Sequence, residues 1–252
     1  KDDIEYAELD NDKVVLLNYT SGTTGFSKGV MLTGNNLAGN VMYGIELGVL
    51  YRGERELCFL PLAHAYSCAF NFLVPMAVGA HVYLLGKVPS PKILLKAFEE
   101  VKPNLILTVP LILEKIYKKM ILPQLSKTTM KVALNIPLLD SRIYAQIRKK
   151  LVDAFGGRFR EVIVGGAAMN EEVTNFLYKI KFPFTIGYGM TECGPLISYD
   201  HNDEYVPGSC GQILKGIMKV RIDSEDPYNK VGEIQVSGEN VMKGYYKNEE
   251  AT

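Results

Sequence analysis

The chain has 252 residues with 28 basic and 28 acidic side chains, so its formal charge is zero and bulk electrostatics give no hold on a nucleic acid. An apolar content of 47% supports a sizeable core, and the length fits one large α/β domain or such a domain with a small attachment. Cys58, Cys68, Cys193 and Cys210 form no C-x-x-C pair, and His64, His81 and His201 are too scattered for a metal-ligand spacing, so buried free thiols in a reducing cytoplasm are expected.

Lys1–Asp12 is polar and mostly acidic, unlike a signal peptide. Val14–Asn18 reads as a β-strand running into the glycine-rich stretch Asn18–Leu32. Thr33 is placed to cap a helix whose face is marked by Leu37, Val41, Ile45 and Leu47. From Leu57 to Gly86 there is no Asp, Glu, Lys or Arg, long enough to span a bilayer, but Pro61, His64, Asn71, Pro75 and His81 punctuate it. The stretch reads better as a buried strand (Glu56–Leu60), a helix (Ala65–Val78) and a second buried strand (Ala80–Leu85).

Ser90 caps a helix through Glu100, which Lys102-Pro103 ends, and Leu105–Val109 is a short buried strand. Helices are expected over 111–120 and 137–155, the second stopped by Gly156-Gly157. Glu161–Val164 is a strand, Asn170 caps a helix to about Lys179, and Phe184–Ile186 is a strand. This alternation predicts an α/β fold with a mostly parallel, doubly wound sheet and flanking helices. From about Tyr205 the texture changes to short strands and glycines, which predicts a small C-terminal antiparallel β segment. Residues 1–204 are thus expected to form an α/β unit and 205–252 the start of a small β unit. With lysine first and Glu249-Glu250-Ala251-Thr252 last, the sequence reads as a piece of a longer protein.

Three loops carry the chemistry. The first, from Thr20 to Gly29, is not the P-loop G-x-x-x-x-G-K-[ST], because Ser27 stands where the second glycine belongs and Gly29 where the metal-binding hydroxyl belongs. It still offers four hydroxyls (Thr20, Ser21, Thr23, Thr24), three glycines that can turn backbone N–H groups inward (Gly22, Gly25, Gly29) and the charge of Lys28. A plain polar loop is the alternative. The second, Gly187-Tyr188-Gly189-Met190-Thr191-Glu192, departs from the dinucleotide fingerprint by ending in a carboxylate, which suits a Mg²⁺ ligand better than a pyrophosphate neighbour. Tyr188 offers an aromatic face to a purine. The third, Val164-Gly165-Gly166-Ala167-Ala168, permits close backbone approach to a flat ligand. All three follow strands, so they are expected to converge on one crevice at the strands' carboxyl ends.

Tyr19–Gly25 followed by Ser27-Lys28-Gly29 resembles the phosphate-loop signature of adenylate-forming enzymes, which include acyl-CoA synthetases, luciferases and peptide-synthetase adenylation domains. Gly187–Glu192 resembles their second signature, and Gly232–Gly238 with Val241–Tyr246 their third. Leu60-Pro-Leu-Ala-His64 is similar to a segment of long-chain fatty-acyl-CoA synthetases. The resemblance implies ATP-dependent formation of an acyl-adenylate, with Mg²⁺, and capture of the acyl group by coenzyme A. It implies that Thr20, Ser21, Gly22, Thr23, Thr24, Gly25 and Lys28 hold the β- and γ-phosphates, and that Thr20 and Glu192 bind Mg²⁺. Thr191 and Glu192 then serve the chemistry at the α-phosphate. Gly166, Ala167, Gly187, Tyr188 and Gly189 frame the adenine, and His64 lies beside the acyl site, unless it is a packed core histidine.

The family's long segment ahead of the phosphate loop, its ribose-binding aspartate and its small domain with a catalytic lysine have no counterpart among these 252 residues, so weak nucleotide binding and little ligase activity are expected of the piece alone. The resemblance implies a fatty acid, ATP and coenzyme A as the small-molecule partners. A lipid acid would bring the protein to a bilayer surface, though no stretch forms an anchor. An aryl, short-chain or amino acid as substrate, and a non-catalytic nucleotide-binding domain, are the competing readings.

Overall fold

The computed structural model of the chain describes residues 10–21, 27–137 and 139–252, with Ser21 by its backbone alone. Two antiparallel strands, β1 (Val14–Ser21) and β2 (Ser27–Thr33), precede α1 (Gly34–Glu46). Then come β3 (Arg55–Cys58), α2 (Ala65–Ser67), a π-helical stretch (Cys68–Leu73), α3 (Val74–Val78) and β4 (His81–Leu84). The chain continues through α4 (Pro91–Val101), β5 (Leu105–Thr108), α5 (Pro110–Met120), the short α6 (Leu122–Leu125) and α7 (Thr128–Ala133), and α8 (Leu139–Ala154). After β6 (Glu161–Val164), α9 (Glu171–Lys179) and β7 (Phe184–Ile186), the remainder is short strands: β8 (Tyr188–Gly189), β9 (Leu196–Tyr199), β10 (Gln212–Ile213), β11 (Met218–Asp223), β12 (Glu233–Gly238) and β13 (Gly244–Tyr245).

The centre is a five-stranded parallel sheet in the order β4-β3-β5-β6-β7, as the α/β pattern predicts. Its inner strands bury both faces, and their side chains alternate between two cores because successive residues of a strand point opposite ways. Ile106, Val162 and Val164 join Leu94 and Phe98 of α4, Leu113 and Ile116 of α5, Leu151 of α8 and Leu177 of α9. Leu105, Leu107 and Ile163 face the other way, onto Ala69, Phe70, Val74, Val49 and Leu50. Each such side chain, fully buried, contributes about 1.5–3 kcal/mol relative to exposure.

Helix starts follow the side-chain caps read from the sequence. Ser90 accepts from the Ile93 N–H and Asn170 from the Val173 N–H. Thr33 forms a reciprocal capping box with Asn36. The uncharged run 57–86 folds as strand, broken helix and strand, and no helix among the described residues is long and apolar enough to cross a membrane.

Four expectations need correction. The glycine-rich first loop does not follow a strand of the parallel sheet. It joins β1 to β2 in a separate antiparallel sheet of order β1-β2-β13, and β2 carries no clear strand signal because Lys28 and Gly29 mask its apolar alternation. The strand at 81–84 is not buried: as the outer strand of the sheet it leaves Tyr83 and Leu84 exposed. The buried face of α1 is polar, with Asn36 and Asn40 beside Tyr43 and Gly44, while Leu37, Val41 and Ile45 are only half-buried. In the C-terminal part of the chain, antiparallel pairing is present before Tyr205, at Tyr188, where β8 pairs with β9, and β13 leaves the C-terminal segment to pair with β2.

Candidate functional site

The β1–β2 hairpin sets Thr20 directly opposite Lys28. On the far side of β2, the segment 242–246 is strapped down by backbone bonds: Lys243 N–H donates to Met31 O (3.0 Å) and Tyr246 N–H to Gly29 O (2.7 Å). Met242 N–H donates to the carbonyl of Glu192 (2.7 Å), which ties this strap to the second loop. Tyr245 completes the junction with its side chain. Its hydroxyl donates to Glu192 Oε1 at 2.7 Å, and the Lys28 ammonium lies 5.0 Å from its ring centroid. Burial and the adjacent Glu192 carboxylate push the Tyr245 hydroxyl up to about 12. Gly22, Thr23, Thr24 and Gly25 lie outside the described residues, as does the Ser21 side chain.

The second loop is shaped by close backbone passes. At Gly189 a Cβ would meet the Pro195 carbonyl oxygen at 2.2 Å, so β8 can run this close to the chain after the turn only with glycine there. Thr191–Cys193 forms a single 3₁₀ turn that ends at Gly194 in the left-handed region (φ 67°). Two asparagines supply hydrogen bonds that this turn cannot make for itself, and a third holds the segment that carries one of them. Asn240 Nδ2 donates to the carbonyls of Cys193 and Leu196, both at 2.9 Å. Asn40 donates to Cys193 O (3.2 Å) and accepts from Leu196 N–H (2.9 Å). Asn36 Nδ2 donates to Glu239 O (2.6 Å) and Val241 O (2.9 Å), locking the residues on either side of Asn240. Sequence reasoning missed all three, together with Tyr245.

Two cavities open at the carboxyl ends of the parallel strands. The first, of 360 Å³, is lined by Leu60, His64 and Ser67 of the turn into α2, by Val109 after β5, by Gly166 after β6, and by Gly187–Thr191. The second, of 620 Å³, is lined by Gly166–Met169, Gly187–Gly189 and the segment 207–210. They share Gly166 and Gly187–Gly189 as a common wall, with the half-exposed Tyr188 facing both. The second and third loops therefore converge as expected, and His64 joins them. It is exposed at the edge of the first cavity, which excludes a packed core histidine. The first loop meets this assembly through the Lys28–Tyr245–Glu192 contacts instead of through the parallel sheet.

Beneath the first cavity runs a buried polar chain. Ser67 Oγ donates to Asn71 Oδ1 (2.8 Å), and Asn71 Nδ2 donates to Glu56 Oε1 (2.6 Å). Glu56 is fully buried with Oε2 unpartnered, and burial raises its carboxyl to about 8, against the smaller lowering effect of the Asn71 bond. Burial thus favours its neutral form, and its partner Asn71 lies within the π-helical stretch.

The fold is an α/β architecture with a five-stranded parallel sheet, two glycine loops at its carboxyl edge and a strapped antiparallel hairpin, and the chain belongs to the AMP-binding enzyme family, whose profile matches residues 2–246. Its relatives include long-chain-fatty-acid–CoA ligase 1 of Saccharomyces cerevisiae, 29% identical over 96% of this chain and 38% of that protein. The 4-coumarate–CoA ligase 1 of Narcissus pseudonarcissus is 32% identical over 100% of this chain and 44% of its own length. The chain thus spans about two-fifths of these curated relatives. Among solved structures, the ATP-bound MatB of Rhodopseudomonas palustris superimposes with a TM-score of 0.73 over 97% of this chain and 44% of that one; at 23% identity this is a likeness of fold.

Proposed function

We propose that the protein activates a long-chain fatty acid with ATP and passes the acyl group to coenzyme A. The observation that carries this reading is the lining shared by the two cavities, Gly166 and Gly187–Gly189, because joining a carboxylate to a nucleotide requires the two ligands to come into direct contact, and glycine backbone leaves room for that approach. The acid occupies the first cavity, beside His64 and among Leu60, Val109 and Leu196. Adenine occupies the second, against Ala167, Tyr188 and the glycine backbone.

A carboxylate oxygen bonds to the α-phosphorus as the bond from that phosphorus to the departing pyrophosphate breaks. The coenzyme A sulfur then attacks the acyl carbon, AMP leaves, and the thiol proton passes to solvent. Lys28 and the hydroxyls of Thr20, Ser21, Thr23 and Thr24, with the backbone of Gly22 and Gly25, hold the β- and γ-phosphates. Thr191 stands beside the α-phosphate. No group of three His, Cys, Asp or Glu converges among the described residues. The donor set fits Mg²⁺ in another way: Glu192 keeps Oε2 without a hydrogen-bond partner among the described residues, and Mg²⁺ commonly takes one or two carboxylates plus phosphate oxygens. Glu192, with Thr20, would hold it, and the ion would neutralise charge on the leaving pyrophosphate.

The yeast ligase and the apolar lining of the first cavity support a fatty acid. The 4-coumarate ligase of Narcissus supports an aryl acid as the second reading. Acid-dependent ATP–pyrophosphate exchange by the full-length protein, across C8–C18 fatty acids, 4-coumarate and short dicarboxylates, separates the two. Fatty acids should give the highest kcat/KM; exchange with 4-coumarate alone overturns the fatty-acid assignment, and exchange with no acid overturns the ligase reading.

A further inference from the structure

Lys28 and Glu192 carry opposite charges, both are half-buried, and both touch Tyr245, yet they form no ion pair with each other. The usual outcome for two such groups in one partly desolvated corner is direct pairing, since attraction grows as water is excluded. Here an aromatic ring stands between them. Its face takes the ammonium and its hydroxyl takes one carboxylate oxygen, so each charge is satisfied without cancelling the other. The ring itself is held firmly: β13 pairs with β2 at Tyr245–Val30, and the neighbouring backbone is bonded to Gly29, Met31 and Glu192.

We infer that Tyr245 is a positioning residue that keeps Lys28 and Glu192 apart and fixes the Glu192 carboxylate by Oε1, leaving Oε2 for a divalent cation and the Lys28 ammonium for phosphate. This rests on the functional reading above, in which Lys28 serves the phosphates and Glu192 the metal. Without the tyrosine the two charges are free to pair, and ATP with its metal must then displace that pair. Neither contact is visible in the first or second signature loop by itself, because Tyr245 lies more than fifty residues beyond Glu192 and over two hundred beyond Lys28.

The test is binding, not turnover. ATP is titrated calorimetrically into the full-length protein, first in EDTA and then across a series of Mg²⁺ concentrations. Tyr245→Phe keeps the ring and the ammonium's seat and removes only the hydroxyl. It should leave metal-free ATP affinity within about twofold of the parent and raise the Mg²⁺ needed for half-maximal enhancement by about tenfold, the scale of one hydrogen bond to a charged group. Tyr245→Leu removes the ring face as well and should weaken metal-free ATP binding by about fivefold or more. A Tyr245→Phe variant whose Mg²⁺ series superimposes on the parent's overturns the inference. So does one that loses metal-free and Mg²⁺-enhanced binding equally, since that marks a general role in holding β13. If the parent itself shows no ATP binding, or no response to Mg²⁺, the functional reading fails and the inference with it.

Discussion

In the parallel sheet, β5 and β6 bury apolar side chains on both faces, whereas the turn from Gly189 to Leu196 is closed by Asn40 and Asn240, with Asn36 holding the residues on either side of Asn240, around backbone that only glycine can provide. The first region gains its stability from area removed from water, is tolerant of exchange among apolar residues of similar volume, and is non-directional. The second gains little net energy from each hydrogen bond but loses much when one partner is deleted, because a buried carbonyl is then left unpaired. The sheet supplies a rigid edge, and the polar turn decides where Thr191 and Glu192 stand on it. Stability and geometry are therefore carried by different chemistry in adjacent parts of one chain.

Substitutions on the two sides should separate these contributions. The largest effect on function is expected from Glu192→Ala, which should lower ATP–pyrophosphate exchange at least a hundredfold while leaving the thermal unfolding midpoint within a few degrees; exchange at the parent's rate would remove Glu192 from the reaction. Phe98→Ala in the helical layer should cost about 4 kcal/mol of stability, read by urea denaturation, with little change in exchange per folded molecule, since Phe98 stacks on Phe155 far inside the larger core. Asn240→Ala should cost less, about 2 kcal/mol, yet reduce exchange about tenfold by freeing the Cys193 and Leu196 carbonyls. If Phe98→Ala lowered exchange per folded molecule more than Asn240→Ala did, the division between a stabilising sheet and a positioning turn would not hold.

The same contrast explains what could be read from the residues alone. Leu105–Thr108, Glu161–Val164 and Phe184–Ile186 announce themselves because a buried strand is an apolar run between turns, and Ser90, Thr33 and Asn170 announce helix starts because a cap has a fixed offset from the helix it serves. The glycine loops were legible for a similar reason, since close approach to a ligand or to backbone leaves glycine no substitute. Asn36, Asn40 and Asn240 were not. An asparagine reads as a turn or cap wherever it stands, and its value here comes from carbonyls up to 205 positions away. Tyr245 stands inside the third signature, but nothing in that motif announces its ties to Lys28 and Glu192, and β2 is obscured because its apolar positions are interrupted by the lysine and glycine of the loop.

Glu56 offers the finest cut between the two kinds of stabilisation, since it is a polar group placed inside the apolar side of the comparison. It lies in β3 next to Leu57, whose side chain belongs to the larger core, and it reaches the candidate acid cavity only through Asn71 and Ser67. Its folded-state pKa of about 8 lies above the ordinary carboxyl value of 4.5, so the unfolded chain loses this proton first. The sign follows: its contribution to stability is fully present below about pH 4.5 and is lost as pH rises towards 8, beyond which both states are ionised and the dependence stops. The slope between those limits is bounded at about 1.4 kcal/mol per pH unit. Glu56→Gln preserves the shape and an oxygen to accept from Asn71 but cannot ionise. Urea denaturation of parent and variant at pH 5, 6, 7, 8, 9 and 10 should give a difference that grows with pH in the variant's favour and levels off above 8. A difference that is flat with pH would mean that water or a rearranged Asn71 already stabilises the ionised carboxylate, and the π-helical stretch would then rest on a charge instead of on a neutral acid.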